Sequence, residues 1–201
     1  RERGVILAEM RTSKDDIEDL SFKRVNEVAF NSSPLRYDVT GLEEVVKGLK
    51  RDDIKRFYNK YYTPKNSLIT MVSSMEHEDA KELISREFSN WQGAEEVEHP
   101  VICEDNTPLK KVSYKNDMEQ STIVYLYTFY HLDKNDELAL RILNHRLGES
   151  SNSLLFREVR EKKGLAYDIY THLDMTKNVK TLYVYTAVSD EDVEEAIRAI
   201  D

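Results

Sequence analysis

Apolar residues recur every three or four positions through much of the chain, a spacing typical of amphipathic helices. At the start, Val5, Ile6 and Met10 share one predicted face, and Glu9 lies on the polar side. The pattern predicts a first helix that continues to about Phe30 and ends before a stretch rich in turn residues.

The same spacing predicts six further helices, over residues 42–49, 50–62, 77–91, 133–148, 151–164 and 189–201. Gly164 stands where a helix C-terminus requires a left-handed residue. We expect the apolar positions of two of these helices to face a core, namely Ile54, Phe57, Tyr58 and Tyr61, and Leu83, Ile84 and Phe88.

Strands are predicted where β-branched and aromatic residues are concentrated in short runs bounded by turn residues. These runs cover residues 67–73, 110–116, 121–130, 165–174 and 180–188. The second and third runs are expected to pair with each other. Strands and helices recur in both halves of the chain, which suggests two α+β units.

The polar stretch 92–108 contains two prolines and little periodicity, which is typical of a linker between domains. We therefore predict a first domain ending at residue 91 and a second domain over 109–201. The chain begins within a helical pattern and ends without a capping residue, so we expect an internal piece of a longer protein. On this interpretation the first domain is truncated at its N-terminus and the second at its C-terminus.

The amino-acid composition limits the classes of partner that the chain is expected to bind. The net charge of −9 over 201 residues argues against nucleic acid, and no apolar run approaches the roughly 20 residues of a membrane helix. Cys103 is the one cysteine, which favours a reducing, cytoplasmic location. No two of the five histidines stand three or four residues apart, so the sequence holds no local zinc-binding pair.

Two residue pairs could carry chemistry. Glu2 and Glu9 lie two helical turns apart on one face, where one acid could bind a metal and the other could orient ligands. The alternative is a pair of solvated acids. Arg160 and Tyr167 flank the Gly164 turn. The arginine could pair with a substrate carboxylate or carbonyl, and the tyrosine hydroxyl could donate to a developing oxyanion. The alternative interpretation of this second pair is a surface arginine and a strand tyrosine whose hydroxyl faces solvent.

At these two stretches, RERGVILAEM and VREKKGLAYD, the sequence resembles the insulinase/pitrilysin family of zinc metallopeptidases, which includes mitochondrial processing peptidase. Family members bind zinc through a helical HxxEH motif and a glutamate some 70 to 80 residues downstream. On this resemblance Glu9 matches that zinc ligand and Glu2 the supporting acid. Arg160 and Tyr167 match an arginine and tyrosine that complete the catalytic cleft of the opposite half. The similarity extends over SPLRYDVTG, YYTP and the LGESSNSLLF loop.

The resemblance implies two related units of largely antiparallel sheet with helices packed on one face. It also implies a zinc-dependent metalloendopeptidase that cuts peptides or unfolded segments in a closed chamber, as a homodimer or a paired half of a larger chain. Because HxxEH is absent, we expect these residues alone to be inactive and to bind no zinc. The alternative is a non-catalytic core subunit of the same family, which acts as a scaffold or holds a substrate.

Overall fold

The computed structural model describes residues 2–93, 102–104, 108–116, 118–177 and 179–201. The helices are α1 (Glu2–Asp15), α2 (Ile17–Ala29), α3 (Glu43–Gly48), α4 (Arg51–Tyr61), α5 (His77–Phe88), α6 (Lys134–Asn144) and α7 (Val193–Ile200). Two π-helical segments cover His145–Glu149 and Phe156–Lys162, and short 3₁₀ turns cover Pro34–Arg36, Pro64–Asn66 and Asp190–Asp192. The strands are β1 (Ser121–Tyr130), β2 (Ala166–Met175) and β3 (Val179–Val188).

The predicted first helix is in fact two helices, so the prediction of one continuous helix is wrong. The break falls at Asp16, whose backbone is extended and whose carboxylate accepts a hydrogen bond from the amide of Asp19 at 3.0 Å. An aspartate in this position caps the new helix, since it satisfies an amide that has no partner within the helix. The acidic first turn of α2, with Glu18 and Asp19, favours the same start through the helix dipole.

The three strands form one antiparallel sheet in the order β1, β3, β2. The central strand β3 pairs along its whole length with β1, from Ser121 opposite Val188 to Tyr130 opposite Val179. Every residue of β3 is buried. A strand buried on both faces needs a cover on each side of the sheet.

One face of the sheet carries the hydrophobic core. The core consists of fully buried residues from the Phe156–Lys162 segment, the strands and α7. Its members include Val159, Ile169, Val184, Val188 and Ala196. Partly buried residues of β1 and of α7 complete the packing.

The other face of the sheet is covered by α2. The Phe22 ring contacts Tyr183 edge-on at 5.2 Å and stacks on Tyr185 at 5.7 Å between ring centres. Two hydrogen bonds also join α2 to the sheet. The Tyr183 hydroxyl donates to Asn26 Oδ1 at 2.9 Å, and the Tyr170 hydroxyl donates to Glu18. Helix α2 thus gives β3 its second cover.

The α+β fold class with an antiparallel sheet and packed helices is confirmed. Packing groups residues 1–43 with 101–201 in one compact unit and residues 44–100 in another. The second unit consists of most of α3, then α4, a 3₁₀ turn and α5, and its described residues contain no strand. The predicted domains, residues 1–91 and 109–201, are domains of a protein family and differ in kind from these compact units. Their boundaries stay a prediction.

Two predicted strands are absent. Residues 67–73 pair with no described strand, and Leu68 and Val72 are 90% and 99% exposed. Residues 110–116 also join no sheet, and Val112 and Tyr114 are exposed. Apolar β-branched sequence favours extended backbone, but a strand forms only where a neighbouring strand accepts its hydrogen bonds.

The two helices predicted to bury an apolar face leave much of it exposed. In α4, Ile54, Phe57 and Tyr58 are more than half exposed, and the Phe57 ring packs locally on the Tyr61 ring, with 4.4 Å between ring centres. In α5, Phe88 is exposed and contacts the ring of Trp91 at 5.8 Å. The expected core is therefore wrong here, because the described residues of this unit offer no sheet for these helices to cover.

The predicted linker, residues 92–108, lies largely outside the described residues. Within the described ranges, no helix is long and apolar enough to cross a membrane.

Gly148 provides a test of the packing between the His145–Glu149 segment and β2. A methyl group at this position would lie 2.5 Å from Thr171 Cγ2 and 2.6 Å from the Thr171 amide nitrogen. We expect Gly148→Ala to lower the free energy of unfolding by about 2 kcal/mol, since the backbone of β2 cannot move aside cheaply. Gly4→Ala is the control, because nothing lies within 4 Å of that position. Urea denaturation measures both, and an unchanged midpoint for Gly148→Ala would contradict the packing.

Candidate functional site

Helix α1 carries the first predicted pair. Glu2 and Glu9 both lie on this one helix, as the sequence predicts, with a rise of about 10 Å between them. Both side chains are exposed, and neither forms an ion pair with a described residue. They are available to a ligand, and equally they match ordinary solvated acids.

A charged network fixes the joint between α1 and α2. The Lys23 ammonium group lies 2.8 Å from Asp19 and 2.6 Å from Asp38, and it donates to Ser13 Oγ at the end of α1. Burial alone would lower the pKa of Lys23, but the hydrogen bonds that its ammonium group donates to Asp19 and Asp38 outweigh burial and raise that pKa. Burial likewise opposes ionisation of both aspartates, yet the Lys23 hydrogen bond lowers the pKa of each.

Arg160 lies in the π-helical segment Phe156–Lys162. Its guanidinium carbon is 4.8 Å from the centre of the Phe156 ring, a cation–π contact that orients the exposed side chain. The segment ends at Gly164, whose φ of +69° is left-handed, and whose amide donates to the Arg160 carbonyl at 3.1 Å. The predicted C-terminal glycine is confirmed, and it turns the chain directly into β2.

Tyr167 stands at the start of β2 in a β-bulge. Ala166 pairs with Val188 and Asp168 pairs with Ala187, so Tyr167 is the extra residue in the ladder. Its side chain is 73% exposed, and its hydroxyl has no hydrogen-bond partner among the described residues. The hydroxyl can therefore donate to a bound molecule.

The four predicted site residues lie in one compact unit, but they do not form a closed metal site. Among the described residues, no group of three histidine, cysteine or acidic side chains could hold a metal ion. Glu9 would contribute one ligand. The roles of Glu2, Glu9, Arg160 and Tyr167 stay predictions.

Two contacts escaped sequence reasoning because they join distant residues. Cys103 Sγ lies 3.4 Å from His131 Nε2, although 28 residues separate them.

The Glu104 carboxylate accepts hydrogen bonds from three consecutive amides, those of Asn31, Ser32 and Ser33, at 2.6 to 3.0 Å. These hydrogen bonds, led by that from Asn31, hold the pKa of Glu104 below its usual value.

Comparison with known proteins identifies the family. Residues 48–201 match the family described as the peptidase M16 inactive domain. The chain belongs to the peptidase M16 family. The resemblance to zinc metallopeptidases is therefore confirmed, and the greater part of this M16 chain corresponds to the family's inactive domain.

Relatives of this M16 chain support the same assignment. It is 24% identical to an uncharacterised zinc protease of Bacillus subtilis, YmxG, over its full length, and 28% identical to one of Mycobacterium tuberculosis over 98% of its length. It covers 48% and 46% of those relatives. A crystal structure of a protease from Helicobacter pylori superposes with a TM-score of 0.83 at 22% identity over 98% of this chain and 50% of that one.

An M16 inactive domain structure from Pseudomonas fluorescens superposes with a TM-score of 0.82 at 18% identity, over all of this chain and 48% of that one. At this identity the likeness shows the fold alone. The chain spans about half the length of these four proteins.

The Lys23 network gives a pH-dependent prediction. A lysine pKa that is raised stabilises the fold below the ordinary value of 10.5, and aspartate pKa values that are lowered stabilise it above the ordinary value of 3.8. We expect Lys23→Met to reduce the free energy of unfolding by about 1 kcal/mol at pH 7. The difference should vanish as acid protonates Asp19 and Asp38.

Urea denaturation across pH 2 to 8 measures this difference. Lys81→Met is the matched control, because the Lys81–Glu78 pair in α5 is 3.6 Å apart and both side chains are largely exposed. An equal loss from both variants, or a Lys23→Met effect that is independent of pH, would contradict the network's role.

Proposed function

We propose that the chain is part of a zinc-dependent metalloendopeptidase that cuts peptides or unfolded segments inside a closed chamber. The observation that carries the proposal is the joint occurrence of an M16 match over residues 48–201 and relatives named zinc proteases that align with nearly the whole chain. The four predicted site residues support it, since all are exposed and lie in helical segments or in a strand of the sheet. The described residues alone are expected to be inactive.

Glu9 would provide one zinc ligand from α1, and Glu2 would orient ligands or water from the same helix face. A carboxylate oxygen suits zinc, although a catalytic site needs three protein ligands, so the other ligands must come from elsewhere. Zinc, when bound, lowers the pKa of its water to about 7 and polarises the substrate carbonyl.

Arg160 and Tyr167 would act on the substrate. The guanidinium group donates two parallel hydrogen bonds, which suits carbonyl oxygens of a peptide backbone. The Tyr167 hydroxyl can donate to the oxyanion that develops on the scissile carbonyl. Because the chain spans about half of its relatives, we propose that these groups complete the site of the facing half, in a homodimer or in a longer chain with paired halves.

A non-catalytic core subunit is the second candidate. One structural neighbour is complex III2 from Candida albicans, which superposes with a TM-score of 0.78 at 15% identity over 96% of this chain and 48% of that one. The residues encoded upstream discriminate the two. An HxxEH motif about 75 residues before Glu9 supports the enzyme, and its absence supports the scaffold. A cytoplasmic location stays a prediction for either.

The enzyme proposal is tested with Tyr167→Phe in the longer parent protein. Loss of one oxyanion donor costs on the order of 100-fold in kcat, so we expect a drop of that size with unchanged zinc content. Mixing this variant with Glu9→Gln should restore part of the activity, since one mixed site then holds both intact groups. Unchanged turnover in Tyr167→Phe would overturn its role. An inactive mixture with demonstrated association between the variants would overturn the shared site.

A further inference from the structure

The bulge in β2 determines which way Tyr167 points. Ile169 and Thr171 are buried on the core face of the sheet, so regular alternation would place residue 167 on that face as well. Ala166 is also buried in the core. It lies three positions before Ile169, and in a regular strand two residues three positions apart would face opposite sides of the sheet. Residues 167 and 168 together therefore occupy the single position opposite Ala187. Without the bulge, the Tyr167 ring would be directed into the core.

A buried hydroxyl group holds the bulge. Thr186 of β3 is fully buried, with 0% of its surface exposed, and it pairs across the ladder with Ile169. Its Oγ1 donates to the carbonyl oxygen of Asp168, a bulge residue, at 2.8 Å. A bulge disrupts the local ladder, and a side-chain donor from the neighbouring strand can satisfy a carbonyl there.

We propose that Thr186 is a positioning residue for Tyr167: its hydroxyl fixes the β2 bulge and thereby directs the tyrosine away from the core, toward substrate. The assignment of substrate rests on the proposed function, whereas the orientation of the ring does not. Valine has the shape of threonine without the hydroxyl. Thr186→Val therefore leaves the core filled while the Asp168 carbonyl loses its donor.

Thr171 provides the matched control. It is a buried threonine on the adjacent strand, and its hydroxyl donates to the Asn144 carbonyl at 3.2 Å, away from the bulge. Thr171→Val should cost stability in the same way as Thr186→Val, because each leaves one backbone carbonyl without its hydroxyl donor. Only Thr186→Val should affect Tyr167. Thr186→Ser keeps the hydroxyl and should leave Tyr167 as it is in the wild-type chain, although it removes one buried methyl group.

The first measurement needs no activity. Ring-labelled tyrosine in this chain gives NMR signals from 12 tyrosines, and Tyr167→Phe assigns the one of interest. We expect the Tyr167 signal to shift or broaden in Thr186→Val and to stay in place in Thr186→Ser and Thr171→Val. An unmoved Tyr167 signal in Thr186→Val would overturn the proposal, as would an equal change in Thr171→Val.

The second measurement uses the longer parent with a peptide substrate. We expect Thr186→Val to lower kcat about tenfold with KM and zinc content unchanged, and Thr186→Ser to restore it. A Thr171→Val loss of the same size would show a structural role only and overturn the proposal. If the wild-type parent neither binds zinc nor cuts peptides, the proposed function fails, and the NMR result still decides whether Thr186 orients Tyr167.

Discussion

The two-sided burial of β3 is the constraint on which the rest of this structure depends. The core residues Val184 and Val188 face the π-helical segment and α7, while Tyr183 and Tyr185 face α2. Burial raises the pKa of Tyr185 to about 12, with the Glu18 charge adding to the effect. Strand β3 therefore connects α2, the helix that follows α1, with β2, the strand that carries Tyr167.

This arrangement connects Glu9 and Tyr167, one residue of each predicted pair, through a continuous series of contacts. Glu9 lies on α1, which is tied to α2 by the Lys23 network and through α2 to the sheet. Tyr167 lies on β2, whose bulge is held by Thr186 from the same central strand. A catalytic group needs such a mount, because a displacement of about 1 Å can cost on the order of 100-fold in rate.

Sequence periodicity predicted most helices and the three strands of the observed sheet, because these elements bury a face that their pattern encodes. The break at Asp16 was missed although its signal was local, an aspartate followed by an acidic turn. The prediction of a strand at residues 67–73 is wrong because a strand needs a partner strand, and the sequence of one segment does not show whether a partner lies beside it. The Tyr167 bulge and the Cys103–His131 contact also depend on distant residues. Residue spacing and chemistry singled out the two candidate pairs and the family resemblance gave them roles, but their exposure could not be predicted from the sequence.

The central claim is that α1 supplies a zinc ligand to a peptidase site. A crystal structure of the longer parent with zinc, located by anomalous scattering, tests it most directly. The account predicts a Glu9 carboxylate oxygen about 2.0–2.2 Å from the metal, with Tyr167 of the facing half in the same cleft. Zinc bound without Glu9, or a parent that binds no zinc at all, would contradict it.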